Sequence, residues 1–96
     1  MLQQVTITSQ AKVKIKPLLE AALTNEKKLL KHGLQRTRER LSAFEAQQKM
    51  SSEEFARRFG AGELEETLEY IDWLMEIKAL QMLEEQYDAL DEAQVD

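Results

Sequence analysis

The sequence predicts an all-α fold: an antiparallel hairpin of two long helices with a short connecting helix, assembling as a dimeric helical bundle. Three observations predict it. Residues 1–50 carry ten Lys/Arg against four Asp/Glu, and residues 51–96 carry three against fourteen, so the halves bear net charges of +6 and −11. Apolar residues recur at helical spacing through both halves. The one punctuated stretch between them runs from Met50-Ser51-Ser52 to Gly60-Ala61-Gly62. Ninety-six residues make one domain, 1–96. The basic first helix and the acidic last helix are expected to pair antiparallel, a register that their charges favour.

Residues 1–16 form an N-terminal arm. Val5-Thr6-Ile7-Thr8 alternates apolar and polar with β-branched residues, which reads as a short strand over 4–8. Lys12-Val13-Lys14-Ile15-Lys16 alternates in the same way, yet Ser9 also suits a helix N-cap and no breaker follows it before Pro17. The stretch 10–16 stays open between strand and helix. Pro17 fits the first turn of a helix, where its missing N–H is harmless.

The first long helix is expected over 18–48. Leu23, Leu30, Leu34, Leu41 and Phe44 fall on an a/d seam, with Lys27 and Thr37 as its imperfect members. Gly33 is its weak point, costing about 1 kcal/mol inside a helix, and one unbroken helix is the preferred reading. Ser51 with Glu54 then forms a capping box that opens a short helix over 52–59. Phe55 and Phe59 sit one turn apart on one of its faces. Gly60 is placed as its stop, and Gly62 permits the turn into a last helix over 63–92. Glu63, Glu65 and Glu66 are read as the acidic first turn of that helix.

The last helix has two apolar stripes. Leu64, Leu68, Ile71, Leu74/Met75 and Met82 mark one; Tyr70, Trp73, Ile77, Leu80, Leu83 and Tyr87 mark the other. A helix apolar around so much of its girth is covered on more than one side. Self-association or a second protein along the uncovered stripe is therefore expected, with the Trp73 stripe taken as the exposed one.

No catalytic signature stands out, and the expectation is a non-enzyme without cofactor or metal. Cysteine is absent and His32 is the only histidine, so thiolate sites, di-iron Glu-x-x-His pairs and a serine nucleophile with its base lack their parts. Ser51 and Ser52 are best explained as caps. Gly60-x-Gly62 follows a helix, the wrong context for a phosphate loop. Glu65, Glu69, Asp72 and Glu76 make an acidic row that resembles half of the metal site of all-helical nucleotide pyrophosphohydrolases. The facing helix offers only scattered Glu20, Glu26, Glu39 and Glu45, so a solvated or cation-paired face is preferred. The basic Lys12–Lys16 segment before Pro17 resembles the strand of ribbon-helix-helix DNA-binding regulators, a reading that needs a helix break at His32-Gly33. No apolar run reaches the roughly 20 residues that span a bilayer, and no signal-peptide h-region appears. A soluble cytoplasmic chain is the expectation.

The segment Met50-Ser51-Ser52-Glu53-Glu54-Phe55-Ala56-Arg57-Arg58-Phe59-Gly60-Ala61-Gly62-Glu63-Leu64, continuing to Tyr70-Ile71-Asp72-Trp73, resembles a family of small helical prokaryotic proteins. That family shows a Met-Ser-Ser-x-x-Phe…Gly-Glu-Leu…Trp pattern and is encoded beside small toxin-like proteins, as antitoxin-like partners. The resemblance covers residues 50–80 best. Its pattern lands on Phe55, Phe59, Gly62, Glu63, Leu64 and Trp73, and Glu65-Glu66 departs from the Gly-Asp type of continuation. It implies a non-catalytic protein-binding module that masks a small toxin, RNA-cleaving enzymes being one such class. The expected partner contacts are Tyr70, Trp73, Ile77, Leu80 and Tyr87, with Glu65, Glu69, Asp72 and Glu76 complementing a basic face. Ser51, Phe55, Phe59, Gly60, Gly62 and Leu64 form the hinge and its packing. The alternatives are the DNA-binding regulator and a purely structural homo-oligomer.

Overall fold

The computed structural model describes residues 9–93, with side chains from Lys14 onward. The strand expected over 4–8 lies outside them. Three helices account for the described fold: α1 (Ser9–Gln48), α2 (Ser52–Gly60) and α3 (Leu68–Glu92). None of them is long and apolar enough to cross a membrane.

α1 and α3 pair antiparallel along an interface studded with ion pairs. Lys27 Nζ lies 3.1 Å from Asp91 Oδ1, Arg38 Nη2 lies 3.3 Å from Glu84 Oε2, and Arg40 Nη1 lies 2.8 Å from Glu76 Oε2. Ascending numbers on α1 meet descending numbers on α3, which sets both direction and register. Each pair has one side chain more than half exposed, so each contributes under about 1 kcal/mol; their main effect is on register. The apolar contribution comes from the α1 seam, where Leu30, Leu34, Thr37 and Leu41 are buried. Lys27, the seam's charged member, meets Asp91 at the end of α3.

α1 starts earlier than its seam suggested. Helix runs unbroken from Ser9, so Pro17 sits in its interior and not in a first turn. The open stretch 10–16 is helical, because nothing between Ser9 and Pro17 stops the chain from hydrogen-bonding to itself. The strand that a ribbon-helix-helix reading needs over Lys12–Lys16 is therefore absent there. Its required break at His32-Gly33 is absent as well.

Gly33 is tolerated because it lies against α3. A methyl group added there would meet Leu83 Cδ1 at 3.5 Å, ordinary van der Waals contact. Gly33→Ala is expected to raise stability by about 1 kcal/mol, by restricting the unfolded chain and adding a contact. Thermal unfolding of the two chains checks this.

α1 ends where Lys49 turns left-handed (φ 54°) and Met50 N–H reaches the Glu45 carbonyl at 3.3 Å. Ser51 then caps α2, its hydroxyl accepting from the Glu54 N–H at 3.1 Å. α2 closes through N–H groups of Ala61, Gly62 and Glu63, which donate to the carbonyls of Arg57, Phe59 and Arg58. The left-handed residue in this turn is Gly62 (φ 75°), not Gly60; Gly60 is the last residue of α2 and a methyl there would meet open space.

α3 begins at Leu68, five residues later than expected. Thr67 is its N-cap, its hydroxyl accepting from the Tyr70 N–H at 3.1 Å. The acids at 63, 65 and 66 are thus not its first turn. Glu63 belongs to the end of α2 instead, with its N–H on the Arg58 carbonyl and its carboxylate 3.4 Å from Arg58 Nε.

Candidate functional site

The connector end of the hairpin is closed by an aromatic cluster. Trp73 is fully buried, with its ring parallel to Phe55 at 4.0 Å between centroids and to Phe44 at 5.6 Å. Phe44 comes from α1, Phe55 from α2 and Trp73 from α3, so the stack joins all three helices. Phe59 and Tyr70 flank it, their centroids 5.4 and 5.3 Å from Phe55. Leu64, Leu74, Ile77 and Leu80 pack around the cluster. The polar edge of the indole is satisfied within it: Trp73 Nε1 donates to Ser52 Oγ at 3.0 Å, and the Ser52 N–H donates to Glu45 Oε2 at 2.8 Å. Ser51 is a cap, whereas the Ser52 hydroxyl serves as the tryptophan's acceptor.

This arrangement reverses the expected roles of the two α3 stripes. Trp73 was the central partner anchor of the sequence reading, but it has no exposed surface. Tyr70 is half-buried and its hydroxyl donates to Gln48 Oε1 at 3.5 Å. Ile77 and Leu80 are half-buried against the core. Tyr87 lies beside α1, its ring centroid 5.8 Å from Lys31 Nζ. The aromatic stripe is the inner face of α3, because wide flat rings cover the facing helix with the most apolar area per residue. Within this hairpin Trp73 has no surface left to offer a second chain.

The outer face of α3 carries the other stripe, and only part of it. Leu64 and Leu74 turn inward, while Leu68 (82% exposed), Ile71 (39%), Met75 (61%) and Met82 (58%) face solvent. At 100° per residue these four fall within about 60° of one another, roughly opposite Trp73 and Leu80. Their spacing of three, four and seven makes a seam for another helix.

The acidic row is divided. Glu65 lies before α3, in the segment that leads to Thr67. Glu69 accepts from the Gln48 amide and Glu76 pairs with Arg40, so both serve the hairpin. Asp72 is exposed beside Ile71, and Glu65, Glu66 and Glu85 are exposed nearby in sequence. Among the described residues no group of three or more His, Cys, Asp or Glu is placed to hold a metal ion. A groove beside α2 is lined by Leu41, Ser42, Glu45, Ser52, Ile77 and Leu80. Within it the Ser52 hydroxyl accepts from Trp73 and Glu45 accepts from the Ser52 N–H, while Ser42, Glu53 and Gln81 add further polar groups to the lining.

No protein-family model matches the chain, and neither does any curated protein or solved structure.

Proposed function

We propose that this chain is a non-catalytic protein-binding module, the antitoxin-like member of a pair, whose outer α3 face seats a small basic protein. The observation that carries this reading is the exposed seam Leu68, Ile71, Met75 and Met82. Four large apolar side chains in one line on a solvated helix are the signature of a surface meant to be covered. Methionine suits such a role, since its flexible thioether moulds to a partner. The carboxylates of Asp72 and Glu85 on α3, with Glu65 and Glu66 before it, select a partner of positive charge. The resemblance of residues 50–80 to antitoxin-like proteins supplies the class of that partner, a small toxin. A dimeric assembly belongs to the same proposal.

Capture from the native host tests it. Tagged full-length chain is expected to retain one small basic protein in near-equal amount, and Met75→Glu is expected to reduce that retention at least tenfold with helical content unchanged. Retention undiminished in Met75→Glu, or recovery of the chain alone, would overturn the reading.

A further inference from the structure

Beyond the Lys27–Asp91 pair, α1 continues without α3 beside it. Its eighteen residues from Ser9 to Glu26 would reach about 27 Å past that pair, whereas α3 ends at Glu92. This overhang is not polar. Leu18 is 68% exposed and Leu19 49% exposed, Ala22 is exposed, and Ile15 and Leu23 are only half-covered. Together they span an arc of about 140°, far more apolar surface than a solvated helix carries. Isolated helices of this length are marginal in water, and Pro17 in the interior removes one backbone hydrogen bond from this one. Such a segment requires tertiary support.

We propose that the support is the same segment of a second copy, packed antiparallel about a twofold axis near Leu18 and Leu19. The charges select this occupant. Lys14 and Lys16 lie toward the N-terminal end of the overhang, and Glu20 and Glu26 toward its C-terminal end. Two such segments laid antiparallel set each basic end beside the other's acidic end; laid parallel, they set like on like. The overhang is close to balanced in charge, Lys12, Lys14 and Lys16 against Glu20 and Glu26, with the two signs at opposite ends, so it complements a second copy of itself. Leu23 and Leu19 continue the face of α1 that α3 covers through Leu30 and Leu34. The second overhang therefore occupies the space where α3 would lie if it were longer. Five apolar side chains from each copy bury on the order of 1,000 Å² in total, the lower limit for a specific interface, so the dimer is a weak one. This inference deepens the dimeric assembly proposed above, and it places the interface away from the α3 seam.

Sedimentation equilibrium of the full chain tests it. The wild-type chain is expected to dimerise at high micromolar concentration. Leu19→Glu should weaken the dimer at least tenfold while the α1–α3 hairpin keeps its cooperative melt, and Met75→Glu should leave the dimer unchanged. Lys16→Glu alone should weaken it, and adding Glu20→Lys to the same chain should restore it. A monomer at every concentration, a dimer indifferent to Leu19→Glu, or one broken by Met75→Glu would overturn the proposal. The protein-partner reading fails separately, through loss of capture with the dimer intact.

Discussion

Replacing Trp73 with alanine is expected to cost about 3–5 kcal/mol of folding free energy, the range for truncating a fully buried aromatic side chain. Three losses combine. The indole is stacked nearly parallel to Phe55 and to Phe44, with interplanar angles of 3° and 5°, so one truncation uncovers both neighbours. It also leaves a cavity where α1, α2 and α3 meet, which a hairpin tied together by Phe44, Phe55 and Trp73 can only partly close. Finally, the Ser52 hydroxyl loses the N–H that it accepts. Single domains have about 5–15 kcal/mol of stability in all, and a chain of this size sits toward the low end. Trp73→Ala should therefore be largely unfolded near 37 °C by circular dichroism. Trp73→Phe keeps a ring in the stack but removes the donor, and should lose roughly 1–3 kcal/mol. Equal loss in the two variants would contradict the weight given to the ring stack, and no loss in Trp73→Phe would contradict the role given to the Ser52 contact.

Phe55→Ala is expected to cost a similar amount, about 3–5 kcal/mol, with a different distribution. α2 has nine residues, too few to persist as an isolated helix. Its fully buried anchor is Phe55, with Ser52 as the buried polar contact. The α1–α3 seam around Leu30 and Leu34 does not involve that ring. Hydrogen exchange should show the amides of Phe55–Gly60 losing protection first, while α1 from Lys27 to Leu41 stays protected longer. Uniform loss across all three helices would show instead that the hairpin cannot stand without α2.

The inner surface of α1 was legible because it follows one rule. Leu30, Leu34, Thr37, Leu41 and Phe44 recur at three and four, and the structure turns that face toward α3. The cap at Ser51 was legible for an equally local reason, since a hydroxyl three residues before a free N–H is enough. The faces of α3 were not. Both of its stripes are apolar, and periodicity assigns neither of them to the interior. What decides between them is nonlocal: Trp73 stacks on Phe44, twenty-nine positions away, and on Phe55 in another helix. The aromatic content of the inner stripe was the available signal, read there as a partner surface instead of a core.

The start of α3 was missed for a different reason. Glu63, Glu65 and Glu66 resemble an acidic first turn, but Thr67 before Leu68 is the competing cap, and its hydroxyl captures the Tyr70 N–H. The left-handed turn at Gly62 bonds Glu63 back to α2 and holds the acids outside the helix. Pro17 misled in the same local way. Proline is favoured in the first turn of a helix, whereas here α1 passes through it.

The assignment of α3 faces rests on one side chain, and that side chain reports on itself. Trp73 is the only tryptophan in the sequence, so the intrinsic fluorescence of the isolated chain speaks for it alone. Emission shifted to the blue, weakly quenched by acrylamide and constant across a dilution series that separates the dimer, is the expected result. Red-shifted, freely quenched emission, or protection that disappears as the chains dissociate, would place Trp73 on an intermolecular surface and contradict the account.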